Sequence, residues 1–185
     1  MGVALAEAAL DFGHEVCVVS GPVHVSYPAN AEVVSVETTT EMHDAVRNHF
    51  PVCDGIIAAA APCDFRPKIF VDSKIKKSGD GMIIEFTETS DILSSVSHDK
   101  HAAQWAVGFA LETDNGIENA MKKLIEKKLN LIVLNGPEAM NSETNRIRIL
   151  GINGIIAGFE GTKHNVARNI INTIFDSLKN STTAF

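Results

Sequence analysis

Apolar residues along the chain follow two patterns: short uninterrupted runs, and longer stretches in which they recur with a helical period. The short runs are rich in Val, Ile and Leu, which is typical of strands buried on both faces of a parallel sheet. They predict strands over 15–19, 32–36, 56–61, 105–110 and 129–135.

The stretches with a helical period lie between or after these strands. They predict helices over 3–12, 38–50, 117–128 and 163–178. Thr38, followed three residues later by Glu41, has the signature of a capping box at the start of the second helix. In the third helix, the spacing assigns four residues to the inner face: Ile117, Met121, Leu124 and Ile125.

Strands that alternate with helices through short connections predict a mostly parallel sheet with right-handed crossovers. Asn153-Gly154, between apolar runs at 146–150 and 155–159, is a strong hairpin signal, and 70–87 predicts a two-stranded arm outside the main sheet. The expected fold is α/β: a three-layer, Rossmann-like, mostly parallel sheet with a protruding β arm and a C-terminal β-hairpin and helix. We expect one domain over 1–179 and a disordered tail at 180–185.

Composition and charge narrow the class of partner. The chain has 185 residues with 16 basic and 23 acidic side chains, a net charge of −7, and no basic run longer than Lys76-Lys77, which argues against nucleic acid. No signal peptide or membrane-spanning apolar run is recognisable, and 3 cysteines without CxxC spacing fit a reduced cytoplasm. The 7 histidines are scattered, so the sequence does not predict a dedicated zinc site.

The segment 54–78 carries the first candidate site. Its strand ends in the small residues Ala59, Ala60 and Ala61, which would let a ligand approach the backbone where ligands of open α/β sheets bind. Asp64 then offers a carboxylate for a metal or a ribose, and Lys74 is a point charge suited to phosphate. The alternative is that the alanines only pack tightly and the lysines form a solvated loop.

Three further positions are candidates, each with a structural alternative. Ser90 is expected to cap a short helix opened by Asp91, Ile92 and Leu93, whose free N–H groups could hold a polar ligand or simply form an ordinary cap. Phe109, near the end of a strand, is either core or a platform for a base. Lys123 and Lys127 stand four apart on one helix stripe, and such a pair is often only solvated surface.

Five segments in order resemble one enzyme family, phosphopantothenate–cysteine ligase. They are AAAAPCDFRP, KIKKS, GFALET, KKLIEKKLNLIVLN and MNSETN, and the similarity runs from Gly2 to about Leu178. The resemblance implies ligation of 4′-phosphopantothenate and L-cysteine in coenzyme A biosynthesis. The nucleotide would be CTP, with ATP as an alternative, and Mg²⁺ would assist through an acyl-nucleotidylate.

The resemblance also implies roles for the candidate residues. Lys74 would be catalytic, and Asp64 would hold the metal or the ribose. The nucleotide would be lined or held by Ala59, Ala60, Ala61, Asp64, Ser90, Asp91, Ile92, Leu93, Phe109, Lys123 and Lys127. The arm would help to form a homodimer, and a decarboxylase domain would precede this one in many bacterial relatives.

One family feature has no counterpart here. The family's opening strand, its glycine-rich turn, an asparagine and a Ser-Gly-Lys precede the Met-Gly that matches Met1-Gly2. We therefore expect an N-terminally truncated domain with an unpaired edge on each of two strands, 15–19 and 56–61. Two other functions stay open: an inactive nucleotide-binding remnant or part of a split ligase, and a nicotinamide-dependent oxidoreductase, although GxGxxG is absent.

Overall fold

The computed structural model describes residues 1–76, 79, 81–136 and 144–182. The helices are α1 (Gly2–Asp11), α2 (Thr39–His49), α3 (Ile92–Asp99), α4 (Gly116–Glu126) and α5 (Lys163–Thr182). The strands are β1 (Cys17–Ser20), β2 (Glu32–Ser35), β3 (Gly55–Ala58), β4 (Phe65–Pro67), β5 (Phe86–Glu88), β6 (Trp105–Leu111), β7 (Leu131–Asn135), β8 (Thr144–Gly151) and β9 (Gly154–Thr162). A short 3-10 turn, Phe50–Val52, joins α2 to β3.

The main sheet has five strands in the order β3-β6-β7-β8-β9. Its β3, β6 and β7 are parallel, whereas β8 and β9 add an antiparallel hairpin. A separate parallel pair is formed by β1 and β2. Among the described residues β1 pairs only with β2 and β3 only with β6, so each has the unpaired edge that the sequence led us to expect.

Helices cover the main sheet on both faces, which explains why its central strands are uninterrupted apolar runs. Val107 and Val133 pack with Ile170 and Ile174 of α5 in one core cluster, which Leu5 of α1 joins. The neighbouring residues on the same strands face the other way. They form a second cluster with α4 from Ala106, Ala110, Ile132, Leu134, Leu150, Ala120 and Leu124. This alternation confirms the predicted three-layer α/β fold.

The helix boundaries and faces differ from the sequence expectation in places. Ala120 and Leu124 are buried in α4 as a core face should be, but Ile117 and Ile125 are 40% and 58% exposed, so their assignment was wrong. Ile117 lies in the first turn, and Ile125 is rotated by about 100° from Leu124. At the end of the chain, α5 continues to Thr182, so residues 180–182 are helical where a disordered tail was expected.

Local signals were more reliable at turns and caps. Thr38 accepts a hydrogen bond from the Glu41 amide at 3.1 Å, and the Glu41 carboxylate accepts one from the Thr38 amide at 3.3 Å, which confirms the capping box. Gly154 has a φ of 106° at the hairpin turn, a conformation that glycine adopts without strain. No helix in the described part of the chain is long and apolar enough to cross a membrane.

The predicted arm lies outside the main sheet, where β4 and β5 pair antiparallel. The paired strands form its base, and Phe65 comes earlier than the predicted start at residue 70. Lys68 and Glu85 continue the pairing by a backbone hydrogen bond of 2.9 Å and an ion pair of 3.2 Å. Lys77 and most of the loop after β7, 137–143, lie outside the described residues.

Candidate active site

The three parallel strands of the main sheet end at Ala58, Leu111 and Asn135, and their carboxyl ends lie at one edge. Ligands of open α/β sheets bind beyond this edge. We call this region the carboxyl edge. Most of the candidate residues lie at or after the ends of β3 and β6, at the start of α3, or on α4 and its C-cap, whereas Lys74 lies on the arm.

At the end of β6, Glu112 holds Lys123 of α4. The Lys123 ammonium donates to the Glu112 carboxylate at 2.5 Å, and Asn119 donates to the other oxygen at 3.1 Å. The Glu112 side chain is only 14% exposed, whereas that of Lys123 is 46% exposed. The hydrogen bond from Lys123 is the main reason that the pKa of Glu112 is lowered; burial opposes the shift, while Asn119 and the Lys123 charge reinforce it.

At the start of α3, Asp91 holds the second lysine of the pair. Its carboxylate lies 2.7 Å from the Lys127 ammonium and accepts a hydrogen bond of 2.9 Å from the Ser94 amide. Burial acts to raise the pKa of Asp91, but the hydrogen bonds from Lys127 and Ser94 and the charges of Lys127 and His98 bring it below its usual value.

The cap of α3 corrects a prediction. Asp91 is the N-cap and α3 starts at Ile92, so Ser90 lies one residue before the cap. An aspartate competes with serine for the cap because its charged oxygen also favours the positive end of the helix dipole. Ser90 is exposed, one residue from the ion pair.

The short helix α3 is seated closely against β6. Ile92 is buried in a third core cluster with Val46 and Phe50, and Leu93 packs against the second cluster. A Cβ placed on Gly108 would lie 3.1 Å from a methyl carbon of Leu93 and 2.8 Å from one of Leu129. A side chain at this position would therefore require Leu129 and Leu93 to shift.

The alanine run and Phe109 approach the edge differently. Ala59 and Phe109 are partly buried and pack against the core cluster that α1 and α5 cover. Ala60 and Ala61 are exposed beyond the end of β3. The packing of Phe109 supports its assignment to the core. The two exposed alanines leave the backbone open to a ligand.

Asp64 is tied to the same region through its backbone. The Thr89 amide donates to the Asp64 carbonyl at 2.8 Å, and the Thr89 hydroxyl donates to the Cys63 carbonyl at 2.6 Å. Thr89 is two residues before Asp91, so the loop after the alanines lies beside the start of α3. The Asp64 carboxylate is exposed and forms no ion pair with the described residues.

Lys74 is not brought to this cluster. It is exposed on the arm between β4 and β5, and no contact within the described chain joins it to Asp91, Glu112 or the two lysines of α4. Its predicted catalytic role therefore remains a prediction.

Sequence reasoning missed three groups at this edge. Glu112 and Asn135 occupy positions at or directly after strand ends, and both lie within the segments GFALET and KKLIEKKLNLIVLN that carry the family resemblance, which were the available signals. Asn145, at the start of β8, donates to the Asn135 side chain at 3.3 Å. The side-chain amide oxygen Oδ1 of Asn145 is buried and has no hydrogen-bond partner among the described residues.

A family described as the DNA/pantothenate metabolism flavoprotein C-terminal domain matches residues 1–178. A cysteine/cysteine sulfinic acid decarboxylase from an unknown prokaryotic organism is 43% identical over 181 residues, covering 94% of this chain and 50% of that protein. The coenzyme A biosynthesis bifunctional protein CoaBC of Bacillus subtilis (strain 168) is 40% identical over 154 residues, covering 80% of this chain and 38% of that protein. The chain spans half or less of these relatives.

Solved structures show the same fold. The C-terminal domain of CoaBC matches with a TM-score of 0.80 and 35% identity, over 97% of this chain and 82% of that one. A DNA/pantothenate metabolism flavoprotein from Streptococcus pneumoniae matches with a TM-score of 0.81 at 18% identity, over 95% and 86%. A mutant of Cab2 in complex with phosphopantothenate-cysteine matches with a TM-score of 0.74 at 12% identity, over 98% and 79%. The last two are likenesses of fold alone.

Proposed function

The chain belongs to the DNA/pantothenate metabolism flavoprotein C-terminal domain family, and from this premise we propose that it ligates 4′-phosphopantothenate to L-cysteine in coenzyme A biosynthesis. The family expected from the sequence is thereby confirmed. Relatives named for coenzyme A biosynthesis support the proposed reaction, as does the Cab2 complex with phosphopantothenate-cysteine.

The observation that carries the proposal is the pair of lysines at the carboxyl edge. Lys123 and Lys127 are held by Glu112 and Asp91, so both ammonium groups are positioned before a ligand arrives. The Asp91–Lys127 pair is partly exposed, and such pairs contribute only about 0–1 kcal/mol, so phosphate oxygens could replace the carboxylate at little cost. We propose that the two lysines hold the phosphates or the base of the nucleotide.

The proposed chemistry has two steps. The carboxylate of 4′-phosphopantothenate attacks the α-phosphorus of CTP, forming an acyl-cytidylate and releasing pyrophosphate. The amine of cysteine then attacks the acyl carbon, the amide bond forms, and CMP leaves with the electron pair of the broken acyl–oxygen bond. Because the first step brings two anions together, cationic side chains must neutralise charge there. Lys74 is the proposed residue, and the arm would have to bring it to the edge.

Asp64 fits a role toward Mg²⁺. It presents an exposed carboxylate without an ion pair in the described chain, and Mg²⁺ in nucleotide sites usually binds one or two carboxylates together with substrate phosphates. The metal would supply neutralisation of the triphosphate. The same carboxylate could instead hold the ribose. Nucleotide binding measured with and without Mg²⁺ would distinguish the two roles.

The remaining candidates would line the nucleotide. Ala60 and Ala61 leave room at the backbone, and the N-terminal turn of α3, from Asp91 through Leu93, presents N–H groups beyond the one that Asp91 caps. Ser90, Ala59 and Phe109 border these groups. CTP is the proposed nucleotide and ATP the alternative.

We also propose how the domain is assembled. The arm between β4 and β5 exposes many large apolar side chains, and it would cover them in a homodimer. The relatives are about twice as long or more, and one is named a decarboxylase, so a decarboxylase domain preceding this one is the proposed arrangement. The proposed location is the cytoplasm, where this pathway's substrates would be available.

Pyrophosphate release tests the proposal. With CTP, 4′-phosphopantothenate and cysteine, we expect Lys127→Met and Lys123→Met to raise the Michaelis constant for CTP by about tenfold or more, since each loses a charged hydrogen bond. The Michaelis constant for cysteine should stay nearly unchanged. Lys122→Met is the matched control, because Lys122 lies on the same helix but, among the described residues, forms an ion pair only with Glu126. If the Michaelis constant for CTP is the same in all three variants, Lys123 and Lys127 are ordinary solvated surface residues.

Calorimetric titration with CTP and NAD distinguishes the proposed ligase from the two alternative functions. Binding of CTP without phosphopantothenate-dependent pyrophosphate release would indicate a nucleotide-binding module, and preferential binding of NAD would indicate an oxidoreductase.

For Lys74→Gln we expect turnover to fall by on the order of 100-fold, with Lys76→Gln as the control on the same arm.

A further inference from the structure

Three side chains with metal-binding atoms converge at the opposite ends of the strands. Cys17 and Glu32 are the first residues of β1 and β2, and they are direct partners in this parallel pair. His49 is the last residue of α2. The Cys17 sulfur, a Glu32 carboxylate oxygen and a His49 ring nitrogen all lie within 4.8 Å of one another.

The hydrogen bonding of His49 suits a role as a metal ligand. Its Nδ1 lies 2.8 Å from the Ala45 carbonyl, and a carbonyl can only accept, so the proton is on Nδ1. This leaves the lone pair on Nε2. Histidines that bind metals usually donate their other ring N–H to a carbonyl or carboxylate in this way, which fixes the tautomer.

The Cys17 thiol and the Glu32 carboxylate are available to a metal ion. In the described chain, neither the Cys17 thiol nor the Glu32 carboxylate forms a hydrogen bond or ion pair with a side chain. Cys53 lies beside them, with its thiol donating to the His49 carbonyl at 3.3 Å.

We propose that Cys17, Glu32 and His49 bind one zinc-class divalent metal ion. Sulfur, imidazole nitrogen and carboxylate oxygen are the three ligand types of zinc sites, and their distances there are about 2.0–2.3 Å. Ligand atoms within 4.8 Å need to move by little more than a side-chain rotation to meet a common ion. Mg²⁺ and Ca²⁺ prefer all-oxygen ligands and do not fit this set.

The site is separate from the proposed nucleotide site. Cys17 and Glu32 begin their strands, whereas Ala60, Ala61 and Asp64 follow the end of β3 and Glu112 follows the end of β6. A metal here would join β1 and β2 to the end of α2. It would therefore stabilise the part of the fold in which β1 and β2 form a sheet of their own.

Metal binding to the purified chain tests the proposal directly. After removal of metals by a chelator and exchange into buffer with a non-thiol reductant, titration with ZnCl₂ should show one equivalent bound and a raised midpoint of thermal unfolding. Co²⁺ used in place of zinc should show the absorption of a thiolate ligand. We expect Cys17→Ser to abolish that absorption, and each of Cys17→Ser, Glu32→Gln and His49→Gln to weaken zinc affinity by at least about tenfold.

Matched controls use the same residue types outside the cluster. Cys63→Ser and His101→Gln change exposed side chains and should leave zinc affinity and the cobalt spectrum unchanged. Because Glu32 is exposed, Glu32→Gln keeps the test valid even if a substitution of a partly buried ligand disturbs folding, which circular dichroism would reveal. No zinc binding by the unaltered chain, or equal binding by Glu32→Gln and the controls, would overturn the proposal.

Discussion

Two carboxylates decide where the lysines of α4 point. Glu112 and Asp91 come from different elements, yet each forms a close ion pair with one lysine. A long flexible side chain that is already ordered loses less conformational entropy when it binds phosphate. If the proposed nucleotide site is right, the acids would position the cations rather than bind the nucleotide themselves.

The Glu112–Lys123 pair should be visible in a titration. Lys123 is the main cause of the lowered pKa of Glu112, so Lys123→Met should raise that pKa toward or above its ordinary value of 4.5. A carboxyl whose folded-state pKa is depressed stabilises the fold above its unfolded pKa and loses this contribution as the pH falls through the folded value. The stability difference between the unaltered chain and Lys123→Met should therefore shrink on acidification below about pH 4.5.

Carboxyl carbon chemical shifts of Glu112, followed by NMR against pH, would measure the pKa directly. Lys122→Met is again the control, because its partner Glu126 is on the same helix and exposed. An unchanged Glu112 titration in Lys123→Met would mean that the pair seen in the structure does not persist in solution.

At this scale the sequence predicted which lysines share a helix face but not what they contact. A spacing of four fixes the face, whereas the partners Asp91 and Glu112 depend on how α3 and β6 are placed in space. Ser90 was expected as the cap for a similar reason. Both Ser90 and Asp91 are good cap residues, and the choice between them depends on the entry path of the chain.

At the scale of elements, Gly108 controls how closely α3 and Leu129 approach β6. In Gly108→Ala, the new methyl group would lie 2.8 Å from a carbon of Leu129 and 3.1 Å from one of Leu93, so these side chains must shift. Overpacking of this kind typically costs about 1–3 kcal/mol of unfolding free energy. Since Leu93 belongs to the first turn of α3, we also expect weaker CTP binding. Denaturant unfolding and calorimetric titration of the variant would measure the two effects.

Gly158→Ala is the matched control, another strand glycine whose new methyl group would meet its nearest neighbour, the Ile147 carbonyl, at an ordinary 3.6 Å. It should change stability much less than Gly108→Ala does. Similar losses in the two variants would show that strand glycine itself, and not the approach of α3, matters at position 108.

The elements were predictable where a period or a cap is strong. The parallel strands, the capping box of Thr38 and the hairpin at Gly154 depend on local spacing and turn preference. The arm was located but not its pairing, because β4 and β5 contribute only 3 residues each and are separated by a long excursion. Long-range pairing of short strands has no periodic signal.

At the scale of the whole molecule, the two ends of the strands carry different chemistry. The carboxyl edge gathers cations suited to phosphate, and the amino ends gather Cys17, Glu32 and His49. The family resemblance pointed to the two lysines of the first group, and their role toward a nucleotide stays a prediction. Sequence analysis missed the second, since the three ligands are far apart in the chain and meet only through the pairing of β1 with β2 and the end of α2.

In the described part of the chain, the arm between β4 and β5 exposes many large apolar side chains. Phe70 and Ile83 are 85% and 95% exposed, and further exposed apolar residues around them are Phe65, Ile69, Val71, Ile75, Met82, Ile84 and Phe86. Single exposed apolar side chains are ordinary, but a contiguous group of this size marks an interaction surface on a soluble domain. A second copy of the chain, presenting the same surface, would cover it in a symmetric contact.

The homodimer prediction follows from this surface. The purified chain should sediment as a dimer, and Phe70→Asp combined with Ile83→Asp should shift it to monomer, because a buried unpaired charge is costly at an apolar interface. Val52→Asp is the control, since Val52 is 89% exposed but stands apart from the arm. Sedimentation measured over a range of concentrations, with circular dichroism to verify folding, would decide. If the unaltered chain stays monomeric throughout, the arm must be covered by something else; if the double variant remains dimeric, the contact lies on another face.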